Sequence, residues 1–357
     1  MTICDTCLMP LTVEEQTQNE RIFTEMQPMY YETIVQAIGG TPLVRLSKVT
    51  HGKTDGILLA KVEAMNPGGS IKDRVGLNMI ETAEREGRLI AGGTLVEATS
   101  GNTGIGLAIA AATKGYKAIL VMPDRMSPEK VDYLKALGAE VILAPSSVGK
   151  NDPRHAMNVA KRISEETSNS FWTNQYRNQA NPQAHYTSTG PEIWQQTAGR
   201  IKALVCGMGT GGTISGAGRY LKEQNLDVKV VGVDVRGSIL FDSWKAGHQV
   251  KEYEKKPFKI EGIGKRFVPE TMDLSIVDEV VRVTDGESFR MTRQVAREEG
   301  IFAGGSSGGA VAGALKSEVI QSLAPGEIAV VILPDSGDRY ISRIYNDEWM
   351  EKNGYLE

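Results

Sequence analysis

The segment that decides the fold is TLVEATSGNTGIGLAIAAATKGYKAILVMP, residues 94–123. Two short apolar runs, 94–99 and 117–123, flank a longer apolar run that follows a glycine-bearing loop and stops at Gly115. Short apolar runs bounded by turn residues are typical of buried strands, and a longer run with a glycine stop is typical of a helix. The segment therefore predicts a strand, a helix and a second strand, which is the repeating unit of a parallel sheet.

The same alternation extends in both directions from this segment. Upstream, LLAKVE (58–63) predicts a strand, and SIKDRVGLNMIETAEREG (70–87) predicts a helix capped by Ser70. Downstream, further strands are predicted at 140–145, 203–207, 230–235 and 328–334, and helices at 127–138, 190–197, 212–223 and 286–299. Strands that alternate with helices imply parallel sheets covered on both faces. The predicted fold class is α/β, with two doubly wound three-layer domains and a cleft between them.

The length and the spacing of these elements set the predicted domain boundaries. The chain has 357 residues, and at roughly 150 residues per domain this predicts about two domains. We predict an N-terminal extension at 1–30, a smaller domain at 56–168, and a larger domain made of 31–55 and 169–357.

Composition narrows the class of partner. The net charge of −4 gives no attraction to nucleic acid or to an anionic membrane surface, and no apolar run reaches the roughly 18 residues that span a bilayer. Three cysteines, Cys4, Cys7 and Cys206, suit a reducing compartment. Since the Cys4–Cys7 pair has no second pair or nearby histidine, we expect no metal there. With no signal pattern at the N-terminus, the expected location is the cytoplasm.

Four polar loops rich in glycine follow predicted strands or begin predicted helices. They are NPGGSIKDR (66–74), TSGNTG (99–104), GMGTGG (207–212) and GGSSGG (304–309). Glycine lets the backbone come close to a ligand, and helix N-termini present free N–H groups to phosphate or carboxylate. Four such loops together predict a bound anionic small molecule.

One of these loops matches the dinucleotide-binding fingerprint as written. GMGTGG follows a strand and begins a helix, and Asp234 ends the next strand about twenty residues later. A nicotinamide-dependent oxidoreductase is therefore an alternative. It is disfavoured because it leaves the other three loops unexplained.

Taken together, the motifs resemble the fold-type II pyridoxal-phosphate enzymes of the cysteine synthase and cystathionine β-synthase family, which share the fold of the tryptophan synthase β chain. The resemblance covers residues 34–356 and follows the family's order. It runs through IGGTPLVRL (38–46), NPGGSIKDR, TSGNTGIGLA, NQYRNQANPQAHY (174–186), GMGTGGT, EGIG (261–264), EGIFAGGSSGG (299–309) and ILPDSGDRY (332–340).

The resemblance implies the cofactor pyridoxal 5'-phosphate and a role for each matching residue. Lys72 would carry the cofactor covalently and act as the catalytic base. The phosphate would lie against Gly209, Thr210, Gly211, Gly212 and Thr213. Ser306 would meet the pyridine nitrogen, with Ser307 as its neighbour, and Asn102 would lie beside the cofactor's 3-oxygen. The substrate carboxylate would be held by Thr99, Ser100, Gly101, Thr103 and Gln175, with Gly262 also contacting substrate. No metal is implied, and His185 is interpreted as structural.

The implied reaction replaces the β-substituent of a serine-like amino acid with a thiol. QYRNQANPQAHY, EGIG and NDEWMEKNGYL (346–356) favour the cystathionine β-synthase branch, which joins L-serine to L-homocysteine. TGPEIW (189–194) and DSGDRY (335–340) favour cysteine synthases, which combine O-acetylserine or O-phosphoserine with sulfide. Release of hydrogen sulfide from cysteine is a further activity of such a site, and a non-catalytic regulatory protein that binds pyridoxal phosphate is the alternative of another class.

The chain departs from the cystathionine branch after EGIG, where Lys265 and Arg266 replace the usual Tyr-Asp. Our hypothesis is that both cations bind a charged acceptor or leaving group. The resemblance also implies a homodimer. We expect neither haem nor the C-terminal regulatory pair of some relatives.

Overall fold

A computed structural model describes residues 30–99, 101–124, 126 and 128–356. Cys4, Cys7 and nearly all of the predicted extension lie outside the described residues, as does Ser100.

The described chain alternates strands and helices along most of its length. The strands are β1 (Leu43–Arg45), β2 (Ile57–Val62), β3 (Thr94–Ala98), β4 (Lys117–Pro123), β5 (Glu140–Ala144), β6 (Ser170–Trp172), β7 (Ile201–Gly207), β8 (Lys229–Val235), β9 (Glu279–Val283) and β10 (Ile328–Leu333). The helices are α1 (Lys72–Arg85), α2 (Asn102–Lys114), α3 (Pro128–Ala136), α4 (Ala156–Glu166), α5 (Ala180–Ala184), α6 (Gly190–Gln196), α7 (Gly212–Gln224), α8 (Leu240–Ala246), α9 (Asp285–Gln294), α10 (Gly305–Lys316), α11 (Glu318–Gln321) and α12 (Asp347–Lys352). Single π-helical turns at His185–Thr189 and Val295–Glu299 continue α5 and α9.

Two sheets organise these elements. The larger sheet has the strand order β1-β2-β10-β7-β8-β9, and only β1 runs antiparallel to its neighbour. The smaller sheet has the order β5-β4-β3-β6 and is parallel throughout. The predicted α/β fold class is confirmed.

The hydrophobic core lies on both faces of each sheet. In the smaller sheet, Leu95 packs with the buried side chains of α1 and α2, while Val96 and Ala98 pack against Val159 and Ala160 of α4 on the opposite face. The larger sheet likewise separates two clusters of buried residues. Strands buried on both faces read as continuous apolar runs, which is why the sequence pattern was informative.

The pairing of β2 differs from the predicted boundaries. We assigned the segment from residue 56 onward to the smaller domain, but β2 pairs with β1 and β10 in the larger sheet, with Ile57 opposite Ile328. The smaller sheet begins at Thr94 and extends to Trp172. Hydrophobic patterning reports that a strand is buried but carries no information on a partner so distant in the chain. The division into domains stays a prediction.

The start of α1 also differs from prediction. The helix begins at Lys72, its N-cap residue is Ile71, and no side chain caps it. Ser70 instead forms an isolated bridge with Asp335, and its hydroxyl accepts the Lys72 N–H at 3.2 Å. Pairing with the segment after β10 keeps Ser70 out of the helix cap.

Candidate active site

One cleft collects loops that follow strands of both sheets. Of the predicted site residues, those that line it are Lys72, Thr99, Asn102, Thr103, Gln175, Gly209, Thr210, Gly211, Thr213, Gly262 and Ser306. Gly101 and Gly212 belong to the same loops but are not part of the lining. The carboxyl ends of parallel strands are where α/β sheets bind ligands.

Lys72 lies on the first turn of α1, at the base of the cleft. The loop before it is joined to the segment after β10, since the Ile71 N–H donates to the Pro334 carbonyl at 2.8 Å and the Ser336 N–H donates to the Gly69 carbonyl at 3.1 Å. Burial lowers the pKa of the Lys72 amine to about 8, the Asp335 carboxylate opposes this shift, and the Lys265 ammonium adds to it. A pKa near 8 leaves an appreciable neutral, nucleophilic fraction at physiological pH.

A buried network of charges anchors α1 behind Lys72. Arg74 donates from Nε to Glu63 at 2.8 Å and from Nη1 to Glu192 at 2.6 Å, and Lys61 pairs with Glu192 at 2.7 Å. The side chains of Lys61 and Glu63 are fully buried. Buried charges of opposite sign hold the groups around them in one arrangement, because leaving either charge unpaired is costly.

Close packing of α1 on α2 also sets the position of Lys72. A Cβ placed on Gly106 would lie 2.5 Å from the Lys72 carbonyl oxygen, and one on Gly76 would lie 2.6 Å from the Gly106 carbonyl carbon. Only glycine permits this approach. The backbone of Lys72 is therefore held directly against the helix that follows the Thr99–Gly101 loop.

The loop between β7 and α7 forms a cradle of backbone N–H groups. Gly211 adopts φ of +91°, a left-handed conformation, and a Cβ there would lie 2.4 Å from Cβ of Met272. The Thr271 hydroxyl donates to the Thr210 carbonyl at 2.6 Å and holds the loop in place. No side chain caps the N-terminus of α7 within the described residues, so its first N–H groups are available to an anion.

His185 supports this cradle from behind. Its Nε2 lies 3.2 Å from the Thr213 hydroxyl and its Nδ1 lies 2.9 Å from the Thr189 hydroxyl. Burial lowers the pKa of His185 well below its usual value, and the charges of Lys72 and Arg74 add to the effect. A neutral imidazole held between two hydroxyls orients Thr213 and does not face the cleft.

The structure separates the two serines of the GGSSGG loop. Ser306 lines the cleft, and a Cβ on Gly262 would lie 3.5 Å from its hydroxyl. Ser307 is fully buried, and its hydroxyl has no partner among the described residues. Ser306 is therefore the serine that a ligand in the cleft can reach.

Asn102 is held by two residues that the sequence analysis did not single out. Its Nδ2 donates to the Asp335 carboxylate at 2.8 Å, and its Oδ1 accepts from the Arg339 guanidinium. Tyr340 donates to the same Asp335 oxygen at 2.7 Å. Burial raises the pKa of Asp335, and its other oxygen, Oδ1, is buried and has no hydrogen-bond partner in the described part of the chain. A polar residue directly after the buried strand 328–334 was the available signal.

The predicted carboxylate loop is preorganised by a buried glutamate. The Thr103 hydroxyl donates to Gln175 Oε1 at 2.8 Å, and Glu97 accepts from the Thr173 hydroxyl and, at 3.4 Å, from the Gln175 N–H. Burial raises the pKa of Glu97 to about 7. Thr99 and Gln175 are buried side by side with Thr103 in the cleft wall.

Further unpredicted residues complete the rim of the cleft. Lys130 of α3 pairs with Glu261 at 2.6 Å, and Arg343 pairs with the other oxygen of Glu261 at 3.0 Å. Lys265 lines the cleft beside Tyr176, whereas Arg266 is exposed with its guanidinium 5.9 Å from the centre of the Phe258 ring. The two cations that our hypothesis joined therefore have different surroundings.

A dinucleotide-binding site would need the Asp234 carboxylate to contact the ligand, and the structure does not leave it accessible. The Asp234 carboxylate is fully buried and accepts from the N–H groups of Val235 at 2.9 Å and Phe241 at 2.8 Å. A carboxylate used in this way is not free to bind a ribose. Among the described residues, no group of three or more His, Cys, Asp or Glu could hold a metal, and no helix could cross a membrane.

Comparisons with known proteins identify the family. Residues 34–335 match the family described as pyridoxal-phosphate dependent enzyme, and the chain belongs to that family. Its cofactor is pyridoxal phosphate, and the resemblance noted in the sequence is confirmed.

Relatives of two activities match the chain. It is 47% identical to cystathionine beta-synthase of Oryctolagus cuniculus over 92% of this chain and 59% of that protein. It is 42% identical to cysteine synthase of Staphylococcus aureus strain Mu50 over 87% of this chain and 96% of that protein. The chain thus spans about three fifths of the length of that first relative.

Solved structures agree on the fold. A hydrogen sulfide-producing enzyme from Fusobacterium nucleatum superposes with a TM-score of 0.79 at 35% identity, covering 87% of this chain and all of that one. O-ureido-L-serine synthase superposes with a TM-score of 0.80 at 34% identity, covering 90% of this chain and all of that one.

The residues present fit the cofactor. The uncapped start of α7 suits a phosphate, the accessible Ser306 hydroxyl suits a ring nitrogen, and the Lys72 amine, with its lowered pKa, suits an aldehyde.

Proposed function

We propose that this protein catalyses β-replacement on a serine-type amino acid by a thiol, joining L-serine to L-homocysteine to give L-cystathionine and water. The observation that carries the proposal is the placement of Lys72. Its amine, with a pKa lowered to about 8, lies in one cleft with the phosphate cradle, Ser306 and the Thr99–Gln175 wall.

When bound, pyridoxal phosphate supplies an electron sink for charge that develops at the α-carbon of the amino acid. The chain's residues supply position and proton transfer. Lys72 Nζ would hold the cofactor, and its amine, once free, would take the α-proton of the substrate and later return it to the same carbon. The C–O bond at the β-carbon breaks and the C–S bond forms there, and the proton that the thiol gives up leaves with the hydroxyl as water.

The remaining predicted residues hold the reactants. The first N–H groups of α7 and the Thr210 and Thr213 hydroxyls bind the phosphate, and Ser306 meets the ring nitrogen. A hydroxyl does not keep that nitrogen protonated as a carboxylate would, which favours elimination and replacement over transamination. Asn102 lies beside the 3-oxygen.

The substrate carboxylate lies on the N-terminus of α2. The Thr99 hydroxyl, the Thr103 backbone N–H and the Gln175 side-chain amide provide hydrogen-bond donors there, and Gly101 gives backbone access at φ of +149°. Ser100 belongs to the same proposed loop, and Gly262 contacts substrate from the opposite side. Because Gln175 is bonded to Thr103 at 2.8 Å before substrate arrives, little ordering is needed on binding.

A second candidate is cysteine synthesis from an activated serine and sulfide. It is supported by the match to cysteine synthase over 96% of that enzyme's length. The same site could release sulfide from cysteine. We propose a homodimer as the assembly.

The experiment is to load the purified protein with pyridoxal phosphate, reduce it with borohydride and map the modified residue by mass spectrometry. We expect the cofactor on Lys72, with none retained by Lys72→Ala. The loaded enzyme is then given L-serine or O-acetylserine with homocysteine or sulfide, and products are identified by chromatography. Cystathionine formed from serine supports the first candidate, and cysteine formed only from O-acetylserine supports the second. Modification of another lysine would overturn the assignment of Lys72.

A further inference from the structure

Among the cations that line the cleft, Lys265 has neither a carboxylate partner among the described residues nor a role in the proposed reaction. Lys130 is paired with Glu261 at 2.6 Å, and Lys72 has its proposed catalytic role. The Lys265 ammonium instead lies 3.4 Å from the Tyr176 hydroxyl and 5.1 Å from the centre of the Tyr176 ring. It is half-buried in the cleft wall, so its charge is only partly solvated.

A second ammonium group, that of Lys150, lies over Phe267, the ring that packs against Tyr176. The rings of Tyr176 and Phe267 meet edge to face with their centres 5.4 Å apart, and the Lys150 ammonium lies 3.9 Å from the centre of the Phe267 ring. Lys150, like Lys265, forms no salt bridge among the described residues. Desolvation lowers the pKa of Lys150, and the charge of Lys265 adds to this, which indicates that the two ammonium groups repel each other.

Glu261, a carboxylate of the same lining, forms its salt bridges with other residues. Both oxygens of Glu261 are occupied, one by Lys130 and the other by Arg343. The cleft lining therefore presents the Lys265 ammonium, which has no salt bridge among the described residues, and the side chain of Tyr176, while the exposed Lys150 outside the lining adds positive charge. An ammonium group beside a hydroxyl is a donor set that binds oxyanions through charge-assisted hydrogen bonds.

We propose that Lys265 and Tyr176 form an oxyanion-binding subsite that takes a carboxylate or phosphate carried by a substrate, and that the charge of Lys150 adds to its positive field. The inference rests on the proposed β-replacement. Two sources share this chemistry, namely the carboxylate of an acceptor such as homocysteine and the phosphate leaving group of a donor such as O-phosphoserine. Arg266 is not part of the subsite, because it is exposed beside Phe258.

Steady-state kinetics of the cofactor-loaded enzyme test the subsite. Lys265→Gln is compared with the adjacent control Arg266→Gln, which makes the same charge change outside the subsite. If the acceptor carboxylate is the ligand, Lys265→Gln raises KM for homocysteine and 3-mercaptopropionate about tenfold, the equivalent of about 1.4 kcal/mol, and leaves KM for 2-mercaptoethanol unchanged. If the leaving group is the ligand, the same rise appears with O-phosphoserine and is absent with serine. Arg266→Gln changes none of these values.

An equal loss of kcat with every acceptor and donor, without a rise in any KM, would show that Lys265 acts only through the pKa of Lys72, and would overturn the subsite. Calorimetric binding of butanoate and of inorganic phosphate to the loaded enzyme, with L-alanine filling the amino-acid site, keeps the test independent of turnover. Weaker binding of either anion to Lys265→Gln, with unchanged binding to Arg266→Gln, supports the subsite even if no β-replacement is found. If each anion binds with the same affinity to Lys265→Gln, to Arg266→Gln and to the unsubstituted protein, the subsite is overturned.

Discussion

At the scale of single residues, the lowered pKa of Lys72 has a measurable consequence. With a pKa of about 8, the amine is protonated and unreactive at lower pH and becomes nucleophilic as the pH rises through that value. We expect the rate at which the apoprotein takes up pyridoxal phosphate to increase with pH, with a midpoint near 8. Stopped-flow absorbance measures this rate.

Two variants control that experiment. Lys265→Gln should move the midpoint to higher pH, because the Lys265 ammonium lowers the pKa of Lys72. Arg266→Gln should leave it in place. A midpoint near the ordinary lysine value of 10.5 would show that burial does not shift the pKa of Lys72.

Asp335 is expected to act as a positioning residue through Asn102. Asp335→Ala removes the acceptor of the Asn102 Nδ2 and Tyr340 hydroxyl hydrogen bonds, so the Asn102 amide loses its fixed orientation toward the cofactor. We expect a shift in the absorbance band of the bound cofactor and weaker cofactor binding, both measured by spectrophotometric titration. Asp335→Asn, which keeps an acceptor oxygen, should restore part of the band.

The matched control is Asp338→Asn, because Asp338 is exposed only three residues away. An unchanged absorbance band in Asp335→Ala would mean that Asn102 needs no support from Asp335.

Residues differ in how readily the sequence reveals them. Lys72 and Ser306 lie in glycine-bearing loops that match motifs of the family, so the resemblance implied their roles from the sequence. Asp335 also follows a buried strand, but many aspartates do, and its role depends on contact with Asn102, which lies 233 positions away in the chain. Glu97 lies within the apolar strand β3, and only its burial in the structure identifies it as part of the site.

At the scale of elements, the α1–α2 contact predicts the effect of a single methyl group. In Gly106→Ala the new Cβ would lie 2.5 Å from the Lys72 carbonyl oxygen, so the helices must separate. We expect the free energy of unfolding to fall by about 1–3 kcal/mol, together with reduced cofactor occupancy. Denaturant unfolding and absorbance measure the two effects.

Gly149→Ala is the control for this prediction, because a Cβ there would have no neighbour within 4 Å. If Gly106→Ala proved as stable as Gly149→Ala and bound the cofactor fully, the close approach of α1 to α2 would not matter for Lys72.

Helices and strands were predicted best where the hydrophobic pattern extends over many consecutive residues. The strand–helix–strand segment 94–123 appears as β3, α2 and β4, and its helix ends before Gly115. Neither β6 nor α4 was predicted. The three residues of β6 are too few for a periodic signal. The helix α4 begins after His155, which serves as N-cap but is not one of the usual capping residue types. Ser70 was wrong as a helix cap, since pairing with Asp335 overrides the local preference.

At the scale of the whole molecule, one ion pair connects the two halves of the cleft. Lys130 lies on α3, beside the smaller sheet, and Glu261 lies on a loop that follows β8 of the larger sheet. In Glu261→Gln the mostly buried Lys130 ammonium loses its partner. We expect KM for the amino-acid donor to rise several-fold, about 1 kcal/mol, because the Lys130 side chain in the cleft lining loses its fixed position, while the cofactor remains bound.

The control for this prediction is Glu165→Gln, which removes an exposed pair with Lys161 and should change nothing, since exposed pairs contribute little. An unchanged KM in Glu261→Gln would show that the ion pair between Lys130 and Glu261 does not contribute to substrate binding.

The position of β10 has a consequence for how the protein is made. This strand is the last of the ten described strands in chain order, yet it lies between β2 and β7, and the segment after it holds the loop that precedes Lys72. During synthesis, β2 and β7 therefore each keep one unpaired edge until β10 has left the ribosome. Such long-range pairing is slow, and it exposes nascent chains to aggregation. Translation that stops before residue 328 would release a polypeptide whose larger sheet is incomplete and whose Lys72 loop lacks the backbone partners that hold it.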